Sequence, residues 1–144
     1  DFIFWQPVVS GKQLWQQFMR LKMAGERASG QAKAVGEQLR QQLVDGQAVE
    51  IAGYGISPAL AQGLEQAELK PPAGRAGRVV WLETSLRDEP TLAPVAQKRI
   101  GQWQAAGYSV AARVAHGPAF WQTTEIEDAP QLIAATLAGL EVRA

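Results

Sequence analysis

Between Arg78 and Leu140, short and long apolar stretches alternate, and that alternation restricts the fold more than any other feature of the chain. Arg78-Val-Val-Trp-Leu82 is a short continuous apolar run and reads as a strand buried on both faces. Pro94 to Ala106 carries Val95, Ile100 and Trp103 as a helix, closed by Gly107. Tyr108 to Ala115 reads as a second strand. Asp128-Ala129-Pro130 then opens a last helix with Ile133, Leu137 and Leu140 on one stripe, reinforced by Leu132. Strand, helix, strand, helix with short loops requires right-handed crossovers and therefore a parallel sheet. The expected fold class is α/β, with parallel strands and flanking helices.

A further strand is expected at Phe2-Ile-Phe-Trp5, buried on both faces and ended by Gln6-Pro7, because proline cannot donate to a ladder. The sequence enters this run with no methionine, polar lead-in or cap. Asp1 is therefore expected to mark a cut within a larger protein, leaving a raw sheet edge open to dimerisation or aggregation. From Gly11 to Gly77 the rhythm is mostly helical. Leu14, Phe18 and Leu21 recur at helical spacing, with Trp15 and Met19 widening the stripe, before breaks at Ala24-Gly25 and Ser29-Gly30. Val35, Leu39 and Leu43 mark a second helix stopped by Asp45-Gly46. Val49 and Ile51 suggest a short strand leading into Gly53-Tyr54-Gly55. Ser57-Pro58 supplies a hydroxyl cap and an N1 proline to a third helix, with Leu60 and Leu64 on one face. Lys70 to Gly77 reads as an exposed linker. The expected organisation is a core strand over 1–10, a helical cap or lid insertion over 11–77, and the rest of the sheet over 78–144.

Composition narrows the function classes. The 144 residues suit one domain able to bury a core, and 47% apolar against 19% charged residues marks the chain as globular. Fourteen basic residues balance fourteen acidic ones, and they are scattered, so neither nucleic acid nor an anionic membrane is implied as partner. With no cysteine there is no disulfide framework, thiolate nucleophile or Cys-based metal site. No run is long enough to span a bilayer and no signal peptide is visible; a cytoplasmic setting is expected. Neither a cofactor nor a metal is expected, because Gly53-Tyr54-Gly55 lacks a phosphate loop's spacing and ligand-type residues are too sparse.

In open α/β sheets the functional groups lie in loops beyond the carboxyl ends of the strands. Three such loops are expected: Gln6 to Lys12, Glu83 to Pro94, and His116 to Glu125. The second holds Asp88 and the third His116, the only histidine in the chain. One helix and one strand separate them, so both should return to the same sheet edge. A carboxylate within reach of an imidazole fixes its tautomer and stabilises the imidazolium, which is the acid-and-base part of a nucleophile–histidine–acid triad. In α/β hydrolases the order is nucleophile, acid, histidine, and Asp88 before His116 agrees with it. Each residue also has a plainer reading: Asp88 as a solvated loop acid or cap, His116 as a loop residue beside Gly117-Pro118. Thr124-Glu125 suggests a helix-capping pair. The five tryptophans suit core and cap packing, with Trp15 or Trp121 able to line a substrate site. None of Ser10, Ser29, Ser57, Ser85 and Ser109 has the flanking glycines of a Gly-x-Ser-x-Gly elbow, so the chain alone is expected to lack acyl-transfer activity.

Several segments are similar to one known group. They are Phe4-Trp5-Gln6-Pro7-Val8-Val9-Ser10-Gly11-Lys12-Gln13, Phe18-Met19-Arg20-Leu21-Lys22, Val49-Glu50-Ile51-Ala52-Gly53-Tyr54, Ile56-Ser57-Pro58-Ala59-Leu60 and Phe120-Trp121-Gln122-Thr123-Thr124-Glu125-Ile126-Glu127. Together they resemble the α/β-fold hydrolases associated with exosortase A systems, the second hydrolase type of those clusters, in its C-terminal portion. The resemblance implies a cytoplasmic serine-type hydrolase from bacteria that export polysaccharide, acting on a small-molecule or acyl substrate. It implies Asp88 as triad acid, a nucleophile and oxyanion hole upstream of Asp1, and a lid drawing on Trp15, Phe18, Met19 and Met23. The family's histidine position falls at Ala119, before Phe120, three residues after His116. A degenerate, non-catalytic binding or assembly module is the competing expectation.

Overall fold

The computed structural model describes residues 1–25 and 32–141. In order, the elements are β1 (Phe2–Trp5), α1 (Gly11–Gly25), α2 (Ala32–Val44), β2 (Val49–Ile51), β3 (Tyr54–Ile56), α3 (Pro58–Gln66), β4 (Gly77–Ser85), α4 (Pro94–Ala105), β5 (Tyr108–His116) and α5 (Pro130–Glu141), with a 3₁₀ turn at Phe120–Gln122. They form two compact units: residues 1–9 with 69–144, built on a sheet, and residues 10–68, mostly helical. Leu69 belongs with the sheet unit. Its N–H donates to the Val9 carbonyl at 3.3 Å, and its own carbonyl accepts from Trp103 Nε1 at 3.4 Å.

In the sheet unit the strand order is β1-β4-β5, and both pairings are parallel. This is the α/β class expected from the alternating pattern. The central strand β4 is buried on both faces because helices cover each side. Val79 and Trp81 point into a cluster with Ala96, Ile100 and Trp103 of α4, joined by Tyr108 and by Phe2 and Phe4. Trp103 stands edge-on to Tyr108 and Phe4, with ring centroids 4.8 and 5.5 Å apart. Such edge-to-face pairs add about 0.5–1.5 kcal/mol each beyond area burial. On the opposite face, Val80, Leu82 and Ala115 pack against Ala129 and Leu132 of the α5 region.

Three sequence expectations change here. The strand β1 is covered on one face only: Phe2 and Phe4 pack under α4, while Ile3 and Trp5 remain 43% and 44% exposed. It is an edge strand, tied to α5 through Thr136, whose Oγ1 accepts from Trp5 Nε1 at 2.9 Å. The stripe of α5 is also shifted. Leu132 is 1% exposed, but Ile133, Leu137 and Leu140 lie 43–56% open. The helix meets the sheet along Ala129, Leu132, Ala135 and Gly139, and the small residues set the distance of approach. A Cβ at Gly139 would stand 2.7 Å from Val80 Cγ1, so only glycine fits without displacement. Thr124-Glu125 caps no helix, since α5 begins at Pro130; the hydroxyl engaged in that loop is Thr123, bonded to the Phe120 and Glu125 carbonyls.

In the helical unit, Trp15, Met19, Leu39, Ala61 and the hairpin residues Val49, Ile51 and Ile56 make a separate core. Leu14, Leu21 and Leu60 are exposed, and Trp15, Met19 and Ala61 take the buried positions. β2 and β3 pair antiparallel across Ala52-Gly53, both at positive φ (50° and 82°), the backbone of a two-residue hairpin turn. Ser57 caps α3 as the sequence indicates, its Oγ accepting from the Leu60 N–H at 3.2 Å. The break expected at Ser29-Gly30 lies outside the described residues.

Candidate functional site

Because the sheet is parallel, β1, β4 and β5 all end at the same edge, and the chain leaves that edge three times. The β4–β5 ladder runs to its last pair, Ser85 opposite His116, and continues one step further as the Gly117 N–H donates to the Ser85 carbonyl at 3.1 Å. The loop carrying Asp88 and the loop following His116 therefore leave from adjacent strand ends. Side chains alternate along a strand, and paired residues of parallel strands share a face. Trp81, Glu83, Ser85 and their partners Ala112, Val114 and His116 accordingly occupy the α4 side, toward which the Leu86–Ala93 loop runs.

Glu83 is the buried charged residue of this edge, 8% exposed. Its Oε1 accepts from Trp81 Nε1 at 3.3 Å and its Oε2 from the Ala93 N–H at 3.2 Å. Ala93 is the N-cap of α4 and has no side chain able to cap it. A glutamate in the first turn of a helix often bonds back to the N-cap N–H. Here that bond comes from the neighbouring strand instead. The loop is pinned at both ends: Arg87 N–H donates to Ser85 Oγ at 3.2 Å, and Gln97 Nε2 donates to the Leu92 carbonyl at 2.8 Å. Between these ties, Asp88 and Glu89 stand exposed.

Gln6 completes the edge. It follows β1 with φ of 43°, a left-handed backbone that is unfavourable for a residue with a side chain. Two bonds hold it there. Its N–H donates to the Leu82 carbonyl at 2.7 Å, and its Oε1 accepts from the Thr84 N–H at 3.0 Å. Non-glycine residues held in such conformations concentrate at functional sites. Glu83 and Gln6 were both missed by the sequence reading. The available signal was an acid two residues after Trp81, on the same face of a strand buried on both sides.

Of the expected triad residues, Asp88 lies on the loop after β4, whereas His116 is the last residue of β5 and not part of the loop beyond it; both are exposed at the same end of the sheet, and among the described residues no hydrogen bond joins them. Ala119, the position matching the family's histidine, precedes the 3₁₀ turn. Trp121 in that turn is 43% exposed and stands edge-on to Phe120 at 5.1 Å. In the helical unit, Trp15 and Phe18 line an apolar groove of about 440 Å³ with Leu14, Tyr54, Leu60 and Leu64. Met19 does not reach it; Met19 and Met23 border a more polar groove of about 370 Å³ that includes Arg20 and Arg40. Ser57 stands between a strand and a helix, as an elbow nucleophile does. Its backbone, however, is ordinary extended chain (φ −75°, ψ 157°), and its hydroxyl is used as a cap.

Among the described residues there is no group of three or more His, Cys, Asp or Glu side chains placed to hold a metal ion, and no helix is long and apolar enough to cross a membrane. Searches against models of known families, against curated proteins and against solved structures found no match to this chain.

Proposed function

We propose that these residues are the acid-and-base half of a serine-type α/β hydrolase of the exosortase-associated kind, cytoplasmic and acting on an ester or acyl substrate. The observation supporting this reading most directly is the register of the two long strands. With Ser85 opposite His116, the histidine closes β5 and the loop holding Asp88 leaves the neighbouring β4, both at the carboxyl edge of a parallel sheet and in the chain order the triad requires. In this reading Asp88 orients the His116 imidazole and stabilises its protonated form. His116 takes the proton from a serine supplied by polypeptide outside these 144 residues. The helical unit, inserted in sequence between β1 and β4, is the lid in this reading, with Trp15 and Phe18 of its apolar groove among the candidate lid residues.

The test is ester turnover and fluorophosphonate labelling of the complete gene product. The 144-residue chain alone should hydrolyse no short p-nitrophenyl acyl ester above background. In the complete product, His116→Ala and Asp88→Asn should each lower turnover by about 10⁴-fold or more. Turnover that survives both substitutions removes the triad reading.

The exposure of Asp88 and His116, with no bond between them, favours a second reading: a degenerate hydrolase fold used for binding or assembly. It predicts no fluorophosphonate labelling of the complete product.

A further inference from the structure

We propose that Glu83 is a positioning residue: its buried carboxylate clamps the Leu86–Ala93 loop to β4 and so fixes where Asp88 stands relative to His116. The catalytic consequence rests on the hydrolase reading above, whereas the clamp itself rests on geometry alone.

Buried carboxylates are costly unless their oxygens are bonded, and Glu83 is bonded at both, to donors from different parts of the fold. Trp81 Nε1 belongs to the core beneath α4, and the Ala93 N–H belongs to the far end of the loop. One side chain therefore joins the most buried part of the strand to the point where the loop enters α4. Loop length adds to the effect. Asp88 directly follows the Ser85–Arg87 turn and precedes Ala93 by five residues, so the Glu83–Ala93 bond ties the far end of the segment that carries Asp88 back to β4. A valine or leucine at position 83 would fill the same volume but leave the Trp81 N–H buried without an acceptor. That burial of an unpaired donor is the reason an acceptor suits this buried position. Gln6 is the neighbour from the other side, bonded to Leu82 and Thr84, so β4 is gripped on both sides of Glu83.

The experiment compares Glu83→Ala and Glu83→Gln with the parent chain by amide hydrogen exchange and by the ring ¹⁵N signals of His116, which are unambiguous because the chain has one histidine. For Glu83→Ala, exchange at Leu86–Ala93 should rise about tenfold or more while the Val79–Trp81 ladder is unchanged, the Trp81 indole N–H signal should shift, and the His116 ring signals should move. Glu83→Gln retains one acceptor oxygen and should restore part of each effect; it also carries the test should the alanine variant not fold. A uniform rise in exchange across the sheet unit would mean that Glu83 only stabilises the fold, and the proposal fails. Unchanged loop exchange, or a freed loop with unmoved His116 signals, overturns it equally. In the complete gene product, Glu83→Ala should lower kcat by about 10–100-fold with KM within about twofold, the scale of a small misplacement of a catalytic group. If that product shows no turnover while the loop and His116 effects persist, the hydrolase reading falls and the clamp stands.

Discussion

Leu132 and Leu137 occupy the same helix and differ little as side chains, yet one is sealed against β4 and the other faces outward. Leu132→Ala should cost about 2–5 kcal/mol of unfolding free energy, while Leu137→Ala should stay within about 0.5 kcal/mol, both read by urea denaturation. Equal losses would restore the stripe that the sequence pattern indicated. At this scale the sequence conveyed one cap, at Ser57, and misplaced another, at Thr124-Glu125. Ser57 before Pro58 specifies its own role, and Ser57→Ala should lower stability by about 1 kcal/mol. What it conveyed poorly was which neighbour of a small residue is buried. Ala61, Ala96 and Ala129 take buried places beside the exposed Leu60, Val95 and Ile133 or its neighbours, because close approach depends on small volume rather than on hydrophobicity. Asp88 was legible as a loop residue beyond β4, while His116, expected in the next loop, ends β5 at the same sheet edge. Glu83 was not, since a lone acid near a strand end resembles the start of a solvated loop until its two donors are seen.

Among the elements, β4, α4 and β5 follow the apolar pattern closely, being long and punctuated by Pro94 and Gly107. Element β1 was found correctly but placed wrongly. Four apolar residues look alike in a central and in an edge strand, and pairing partners, not composition, decide burial. The β3 strand escaped notice because its hairpin turns on Ala52, a residue rarely chosen for positive φ. The seat of α5 on the sheet depends on Gly139, so Gly139→Ala should force the helix and Val80 apart. A loss of about 1–3 kcal/mol is expected, measured as a lowered urea midpoint with unchanged slope. A variant as stable as the parent would show that the helix end yields freely.

For the whole molecule, the free edge of β1 is the exposed feature with the largest consequence for behaviour in solution. It is short, and its open face carries Ile3 and Trp5 without a charge between them. Self-association of the 144-residue chain at micromolar concentration is expected by sedimentation velocity, and Ile3→Lys should suppress it, because charge on an edge strand discourages pairing. A monomer at all concentrations would contradict this. The pairing of Phe2 with Val79 across the whole Ser10–Glu68 unit has a temporal meaning as well. At ribosomal speeds of about 5–20 residues per second, β1 is born roughly 4–15 s before β4, the strand it bonds to among the described residues. The interposed helices, with a core of their own, have that interval in which to settle. Between these two strands, order of birth thus runs ahead of completion: β1 leaves the ribosome well before β4 and gains this ladder only when β4 arrives.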